Sequence, residues 1–326
     1  MKFLVTGATG KVGQTFLRDF LASPQFEHAT VRALCHNRTL QPHARLEIAR
    51  GSISDREVVA AAMNGVTHVL HLATCKEIPE MVMDVTVKGM FWLLEEARES
   101  PTFSQFILVG GDACVGHFFY EYDRPITEEV PHKAYPGCYA LSKVLEEVML
   151  EQSFHQYDLN GCCLRAPWIM EKDDFKQSLS WGEDVFGGPR WCEFVDSDTA
   201  KKYAAAGTIP VMQDADGKSI TRNFVHVDDL VSAIMSAIDH PAAKQQLFNV
   251  CMTDAVNYQQ IADYLGETRD LDSIGVKTEF HSTFLDNAKA RQKLGWQPKY
   301  DLRKLIDASW DYKRGEEDPR KTWYPG

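Results

Sequence analysis

The feature that most constrains the fold is a glycine-rich segment at residues 6–13, which links an apolar run to a helical pattern. The run Lys2–Thr6 predicts a buried strand, and Lys11–Leu21 predicts an amphipathic helix. Between them the sequence is Thr-Gly-Ala-Thr-Gly-Lys-Val-Gly, with the spacing GxxGxxG. Glycines allow a tight turn and let the backbone approach a pyrophosphate, which the start of a helix attracts. In this context the segment predicts dinucleotide binding, and the alternative is a tight turn without a ligand.

Short apolar runs and helical patterns alternate through the first half of the chain. The predicted strands are Lys2–Thr6, Thr30–Cys35, Arg45–Ala49, His68–Leu72, Phe106–Val109 and Gly161–Leu164. The predicted helices are Lys11–Leu21, Arg56–Met63, Met81–Glu99 and Tyr139–Ser153. This alternation is typical of βαβ units, so we expect an α/β fold with a Rossmann-type, doubly wound parallel sheet.

The pattern changes after Arg165. Residues 171–218 are rich in Gly, Asp and aromatic residues without a clear period, which is typical of loops that cover a site. Regular patterns return at Phe224–Val227, Asp228–Ile238, Gln246–Val250, Tyr258–Leu265, Asp286–Leu294 and Leu302–Tyr312. We expect an NAD(P)-binding domain at residues 1–165, to which 224–251 returns, and a smaller mixed α/β substrate-binding lobe at 166–326.

Charge and cysteine usage narrow the class of protein. The 326 residues include 35 Lys and Arg against 46 Asp and Glu, a net charge of −11, which opposes nucleic acid or an anionic membrane as a partner. The eight cysteines form no CxxC pair and no metal-like spacing, so we expect a reduced chain without a metal site. No apolar run approaches the ~18 residues that span a membrane, and the expected location is the cytoplasm.

The end of the second predicted strand bears on cofactor choice. An acid at this position would bind the free 2′-hydroxyl of the adenosine ribose, whereas a base would meet a 2′-phosphate. The sequence offers no acid here, and His36 and Arg38 stand where a phosphate could bind. This favours NADP over NAD, although Arg38 can also be a solvated loop charge and NAD binding stays open.

A YxxxK pattern, Tyr139 to Lys143, lies on the predicted helix after the fifth strand. Side chains at positions i and i+4 share a helix face. A lysine ammonium beside a phenol favours the phenolate and lowers the tyrosine pKa from ~10, so Tyr139 can exchange a proton with a substrate. On the same helix, Glu146 and Glu147 are interpreted as a solvated face.

Other motifs follow in a fixed order: Gly51-Ser52-Ile53-Ser54-Asp55, His71-Leu72-Ala73-Thr74, Leu164-Arg165-Ala166-Pro167, Arg222 to Leu230, and Leu294-Gly295-Trp296-Gln297-Pro298. With the glycine segment and the YxxxK pattern, they resemble the extended short-chain dehydrogenase/reductase family, in its branch of nucleotide-sugar epimerases and dehydratases. The resemblance covers nearly the whole chain.

The resemblance implies a role for each matching residue. The implied cofactor contacts are Gly7, Gly10, Lys11, Val12, Gly13, His36, Arg38, Ser52, Ile53, Leu72, Ala73, Thr74, Tyr139, Lys143 and Pro167. Tyr139 would exchange a proton with a substrate hydroxyl while hydride moves to or from nicotinamide C4, and Lys143 would hold the nicotinamide ribose. The family also implies a homodimer built on the helices Met81–Glu99 and Tyr139–Ser153.

One departure from the family lies at the end of the fifth strand. Gly111 occupies the position where the family has a serine or threonine that binds the reacting oxygen. Losing such a donor can cost on the order of 10²–10³ in rate. Asp112 is the candidate catalytic substitute, with Thr74 and a bound water as alternatives. Ala113 stands where sugar dehydratases have a second acid, which disfavours a 4,6-dehydratase.

The implied substrate contacts are Thr74, Asp112, His117, Trp168 and Arg222. Arg222 matches the position where epimerases of the family meet the substrate diphosphate, but the second arginine expected before Asp286 is absent. A structural ion pair is the alternative role for Arg222, and core packing is the alternative for His117 and Trp168.

These observations support two hypotheses. The first is an NAD(P)-dependent oxidoreductase or epimerase that acts on a hydroxyl or ketone of a sugar, sugar derivative or nucleotide-sugar. The second, which the missing hydroxyl at Gly111 permits, is a non-catalytic protein that binds NAD(P) and senses its redox state.

Overall fold

Strands and helices alternate along the first half of the chain in the computed structural model, which describes residues 1–183, 189–318 and 320. The strands are β1 (Lys2–Thr6), β2 (Thr30–Cys35), β3 (Leu46–Arg50), β4 (His68–His71), β5 (Gln105–Gly111), β6 (Gly161–Ala166), β7 (Trp168–Met170), β8 (Ile209–Gln213), β9 (Thr221–Arg222), β10 (Phe224–His226), β11 (Gln246–Asn249), β12 (Val256–Asn257) and β13 (Ser273–Lys277). The α-helices are α1 (Lys11–Ala22), α2 (Arg56–Met63), α3 (Pro79–Val82), α4 (Gly89–Glu99), α5 (Cys138–Tyr157), α6 (Asp174–Ser178), α7 (Ser197–Ala206), α8 (Val227–Ala237), α9 (Tyr258–Arg269), α10 (Ala288–Leu294) and α11 (Leu302–Asp311). A π-helical segment, Met83–Lys88, joins α3 to α4.

Seven of the strands form one parallel sheet in the order β11-β6-β5-β4-β1-β2-β3. The strand order reverses between β1 and β4, and the predicted Rossmann-type fold class is confirmed. In such sheets, ligands bind outside the carboxyl ends of the strands at the point of reversal.

Two apolar layers cover the faces of this sheet. On one face Phe3 packs with Phe16 and Phe20 of α1, and α8 continues the layer with Leu230 and Ile234. The residues of the other layer, from α2, α4 and strands of the sheet, include Val59, Met90, Leu93, Phe106 and Leu108. The sheet is therefore buried on both sides, which explains why its strands are continuous apolar runs.

Of the two later strands expected in the central sheet, β11 joins it and β10 does not. β11 pairs with β6 at the edge of the central sheet, as expected for residues 246–250. Phe224–His226, which was expected to return to the same sheet, pairs instead with Trp168–Met170 in a separate two-stranded sheet. The two short strands β7 and β10 thus lead from the cofactor half into the second lobe.

Residues 171–218 were expected to be irregular, and this interpretation is wrong for three stretches of the segment. The structure places α6, α7 and β8 there, and β8 pairs with β13. Local signals were present, since Asp196 caps α7 by accepting from the backbone N–H groups of Asp198 and Thr199. Gly207 ends the helix at φ 66°, in the left-handed region that favours glycine. These elements pack around Trp191, Ile209 and Tyr258 to form the core of the second lobe.

Membrane-spanning segments were sought among the helices of the described residues. None of these helices combines the length and the apolar character that crossing a bilayer requires.

Candidate active site

One cavity of roughly 800 Å³ opens at the carboxyl ends of the central strands. Segments that follow β1, β2, β3, β4, β5 and β6 all line it. All fifteen cofactor residues implied by the sequence lie on its wall: Gly7, Gly10, Lys11, Val12, Gly13, His36, Arg38, Ser52, Ile53, Leu72, Ala73, Thr74, Tyr139, Lys143 and Pro167. Thr74, Asp112, His117 and Trp168 line the cavity as well, whereas Arg222 does not.

The glycine segment is wound so tightly that side chains are excluded at two positions. A Cβ atom on Gly13 would lie 2.5 Å from the carbonyl oxygen of Gly7, and one on Gly7 would lie 2.8 Å from the backbone nitrogen of Ala73. Gly7 also has φ +64°. Helix α1 starts here without a side-chain cap, so its first N–H groups face the cavity without intrahelical partners. This cradle fits a dinucleotide pyrophosphate.

The adenosine end of the cavity lies beside β2 and β3. The residues lining it after β2 are His36, Asn37 and Arg38, and those after β3 include Ser52 and Ile53. His36 is exposed and Arg38 is half-buried. The structure thus brings the predicted basic pair, His36 and Arg38, to the cavity. Among the described residues, no carboxylate lies between these two side chains.

Tyr139 and Lys143 share one face of α5. The Lys143 Nζ lies 5.6 Å from the centroid of the Tyr139 ring. Burial raises the pKa of the Tyr139 phenol, and the nearby Lys143 acts in the opposite direction without reversing the shift. The expected lowering of the Tyr139 pKa is therefore one of two opposed effects, and burial is the larger.

Lys143 is held by a buried acid that was expected to be solvated. Its Nζ lies 2.7 Å from Oε2 of Glu146, whose side chain has no exposed surface, and Oε1 of Glu146 lies 3.6 Å from Nε2 of His71. Burial lowers the pKa of Lys143, but Glu146 and Tyr139 raise it by more, so it lies above its usual value. Glu146 thus keeps the Lys143 ammonium charged.

The protonation of His71 follows from its other contact. Its Nδ1 lies 2.8 Å from Oγ1 of Thr6, and this hydroxyl oxygen already accepts from the backbone N–H groups of Leu72 and Ala73. The Thr6 hydroxyl is therefore free to donate to Nδ1 of His71. This leaves the His71 proton on Nε2, directed at Glu146. A chain of polar groups consequently links the β1 end to Lys143.

A second buried relay runs from Asp112 through His117 to Arg222. An Asp112 carboxylate oxygen contacts Nδ1 of His117, and Nη2 of Arg222 contacts Nε2 of His117. Because a guanidinium can only donate, Nε2 must accept, and the His117 proton lies on Nδ1 and points at Asp112. Burial lowers the pKa of His117, and Arg222 adds to this effect, so the imidazole is neutral.

Arg222 lies behind this relay and not in the cavity, contrary to the expected contact with substrate. Its side chain has no exposed surface, and its guanidinium carbon is 3.6 Å from the centroid of the Trp168 ring and 4.2 Å from that of Phe118. Both rings line the cavity and separate Arg222 from it. One guanidinium nitrogen, Nη2, contacts His117, whereas Nε and Nη1 are buried without a hydrogen-bond partner under the two rings.

One group of three residues near the site has metal-like proximity. Ligand atoms of Cys114, His132 and Glu147 lie within 4.8 Å of one another. Both Glu147 oxygens, however, already accept from Arg165, at 3.0 and 2.7 Å, and burial makes this pair strong. A cation would face the Arg165 guanidinium, so we interpret the group as an ion-pair network that anchors α5 to β6.

A model of the NAD dependent epimerase/dehydratase family matches residues 3–170, more than half of the chain. The chain belongs to the NAD-dependent epimerase/dehydratase family. This confirms the resemblance drawn from the motifs and the interpretation of the chain as an NAD-dependent enzyme of that family.

Relatives within the epimerase/dehydratase family match almost end to end. The UDP-glucose 4-epimerase of Mycolicibacterium smegmatis is 27% identical over 352 residues, covering 97% of this chain and 99% of the relative. A short-chain dehydrogenase/reductase superfamily protein from Agrobacterium tumefaciens with bound NAD has a TM-score of 0.79 at 20% identity, covering 96% and 97% of the two chains. The UDP-glucuronic acid 4-epimerase of Bacillus cereus in complex with NAD has a TM-score of 0.73 at 17% identity, covering 96% and 98%.

Two residues at the centre of this family member's site were missed from the sequence. Lys76 follows β4 and lines the cavity, with its Nζ 5.5 Å from the Tyr139 ring centroid. Burial, together with Lys11 and Lys143, lowers the pKa of Lys76 to about 8. Glu146 is the other, and its only sequence signal was its place three residues after Lys143 on the same helix.

Proposed function

We propose that this epimerase/dehydratase family member oxidises, reduces or epimerises a hydroxyl or ketone of a sugar, sugar derivative or nucleotide-sugar with NAD(P). The observation that carries the proposal is that the glycine cradle and the Tyr139–Lys143 pair line one cavity. When bound, the nicotinamide supplies hydride transfer at its C4. The relatives named above are consistent with a carbohydrate-type substrate.

In the oxidation direction, the substrate hydroxyl gives its proton to the Tyr139 phenolate oxygen as hydride leaves the same carbon, which yields a ketone. In the reverse direction the phenol returns the proton to the carbonyl oxygen. Lys143, charged through Glu146, stabilises the phenolate and offsets the effect of burial on the Tyr139 pKa.

Asp112 is proposed to take the place left by the missing hydroxyl at Gly111. An ionised carboxylate accepts hydrogen bonds but donates none, so it can orient a substrate hydroxyl and cannot stabilise an oxyanion as a serine would. His117, held by Arg222, fixes one Asp112 oxygen and leaves the other for the substrate. Asp112 and Tyr139 are thus the groups proposed to contact the reacting oxygen.

For the cofactor we propose a preference for NADP within the NAD-dependent family, because His36 and Arg38 line the adenosine end. Titration calorimetry with NAD+ and NADP+ tests this preference. Tighter binding of NADP+, reduced by Arg38→Ala, is the expected result, and tighter binding of NAD+ would contradict it.

The reaction is tested by incubating the protein with NAD+ or NADP+ and a panel of sugars, sugar acids and UDP- or dTDP-sugars. Reduced nicotinamide in solution indicates a dehydrogenase, whereas inverted product stereochemistry without net reduction indicates an epimerase. Cofactor binding without turnover of any compound would favour the redox-sensing alternative, which the enzymatic relatives do not favour.

A homodimer remains part of the proposal. Helices α4 and α5 pack side by side, and their outer surfaces carry the exposed side chains of Phe91 and Leu141, which are 44% and 50% exposed. A second copy would bury this apolar surface. Sedimentation velocity tests the assignment, with a monomer as the contradicting result.

A further inference from the structure

The half of the cavity beside Tyr139 has an aromatic wall, formed by the rings of Phe118, Phe119, Tyr135, Trp168 and Phe280. Phe118 meets Phe280 edge to face at 4.2 Å between centroids, and Phe119 stacks on Tyr135 at 4.7 Å. Phe119 also touches Phe280, at 5.3 Å. The rings support one another in fixed positions and present apolar faces to a ligand.

The arginine that would meet a diphosphate is hidden behind this wall. Arg222 has no exposed surface, lies under Trp168 and Phe118, and gives an N–H to His117. Reaching a ligand would require both rings to move and would leave His117 without its donor. In this arrangement the two rings, and not a full set of internal hydrogen bonds, keep Arg222 from an anion in the cavity, since its Nε and Nη1 have no partner.

Other guanidinium groups do not replace it. Among the described residues, Arg38 is the one arginine on the cavity wall. It follows β2, three strand positions from β5, or about 14 Å across the sheet. Residues 184–188 lie outside the described residues, and their sequence, Asp-Val-Phe-Gly-Gly, contains no cation.

Two acidic groups, Glu77 and Asp112, also line the cavity together with Tyr139. A Glu77 carboxylate oxygen lies 3.3 Å from the backbone nitrogen of Tyr139, at the start of α5, where a ligand anion would otherwise be attracted. Asp112 lies on the opposite side, after β5. Lys76 and Lys143 are the cations near the Tyr139 ring; Glu146 pairs with Lys143, and the Glu77 carboxylate acts on Lys76.

We propose that the substrate is an uncharged sugar derivative in which an apolar, ring-bearing group takes the position that a nucleoside diphosphate has in a nucleotide-sugar. This rests on the proposed function and narrows its substrate class. The reacting hydroxyl gives its proton to Tyr139 and its carbon gives hydride to the nicotinamide, while the attached ring lies against the aromatic wall.

Three ligands that share one sugar test the proposal: glucose, phenyl β-glucoside and UDP-glucose, each titrated calorimetrically into protein saturated with NADP+ or NAD+. We expect phenyl β-glucoside to bind at least about tenfold more tightly than UDP-glucose or glucose. Tighter binding of UDP-glucose would overturn the proposal, and so would absence of binding by phenyl β-glucoside.

The variant Phe119→Ala removes one exposed ring of the wall. This variant should bind phenyl β-glucoside about tenfold more weakly and should bind glucose with unchanged affinity. Phe194→Ala, which removes a 40% exposed phenylalanine outside the cavity, is the matched control and should change neither affinity. Equal losses for both ligands in Phe119→Ala would count against a ring-binding role.

The outcomes separate this inference from the proposed function. If UDP-glucose binds more tightly than phenyl β-glucoside and is converted in a Tyr139-dependent reaction, the proposed function is supported and the narrower substrate class is wrong. If the cofactor does not bind, both the proposed function and the narrower substrate class are wrong.

Discussion

A Cβ atom built on Gly111 would lie 3.5 Å from the hydroxyl oxygen of Tyr139 and 3.6 Å from Cδ of Lys143. These are ordinary van der Waals distances, and Gly111 has the extended backbone, φ −142° and ψ 144°, that any residue adopts. The structure therefore has room for the serine of the family beside the proton-transferring phenol.

Gly111→Ser should fold normally and raise kcat by about tenfold or more, because the new hydroxyl can donate to the reacting oxygen. Gly111→Ala adds the same Cβ without a donor and should give no increase. Steady-state rates of the two variants check this prediction. Equal rates in the Ser and Ala variants would contradict the view that the reaction lacks a hydroxyl donor at this position.

Arg222→Leu should disturb Asp112 through His117. Without the guanidinium, the pKa of His117 rises, since one of the effects that lower it is removed. Burial, the largest effect that lowers this pKa, remains in the variant. We therefore expect kcat to begin its fall towards acidic pH at a higher pH in the variant than in the wild type, with a loss of up to about 10²-fold. The exposed Arg190→Leu is the control, and superimposable profiles of the Arg222 variant and wild type would refute the positioning role.

Glu146→Gln should shift the pH dependence of oxidation. The Glu146 charge raises the Tyr139 pKa directly, and it also stabilises the Lys143 ammonium, which lowers the Tyr139 pKa. Tyr139 itself also raises the Lys143 pKa, so we expect Lys143 to stay charged in the variant, the Tyr139 pKa to fall, and the rising limb of the rate to move to lower pH. Glu151 is an exposed glutamate on the same helix, and Glu151→Gln should leave the pH dependence of the rate unchanged. An unchanged limb in Glu146→Gln would mean that this buried acid does not act on Tyr139.

Glu147 should contribute acid-sensitive stability. Burial raises its pKa, but His132 and Arg165 lower it by more, to about 2. A carboxyl whose pKa is lowered in the folded state stabilises the fold at pH values above its unfolded-state pKa. For Glu147 this stabilisation is about 3 kcal/mol, and it is lost as the pH falls from about 5 to 2. Glu147→Gln should lower the free energy of unfolding at pH 7 by about 3–5 kcal/mol because Arg165 is left buried and unpaired. Denaturant titrations at pH 7 and at about pH 2.5 check this, and an equal loss of stability on acidification in wild type and variant would contradict it.

The cofactor half was predictable because its signals are local. The glycine spacing, the apolar runs and the YxxxK pattern each depend on neighbouring residues, and parallel strands place their carboxyl ends together. The second lobe was harder, since β8 pairs with β13, more than 60 residues away.

The direction in which individual side chains point was the other feature that could not be predicted from the sequence. Glu146 and Glu147 are adjacent on α5, and helical periodicity alone does not show that Lys143 and Arg165 bury both. The position of Arg222 depends on His117, whose φ of 51° turns its ring between Asp112 and β9. That left-handed conformation is rare for histidine and has no signature in the surrounding sequence.

The central claim is that Tyr139 transfers the proton in an NAD(P)-dependent reaction, and the variant Tyr139→Phe tests it most directly. Turnover of the substrate found in the sugar panel and cofactor affinity are measured on the same preparation. We predict that turnover falls by at least about 10²-fold while cofactor affinity stays within about twofold of wild type. Retained turnover in Tyr139→Phe would contradict the account.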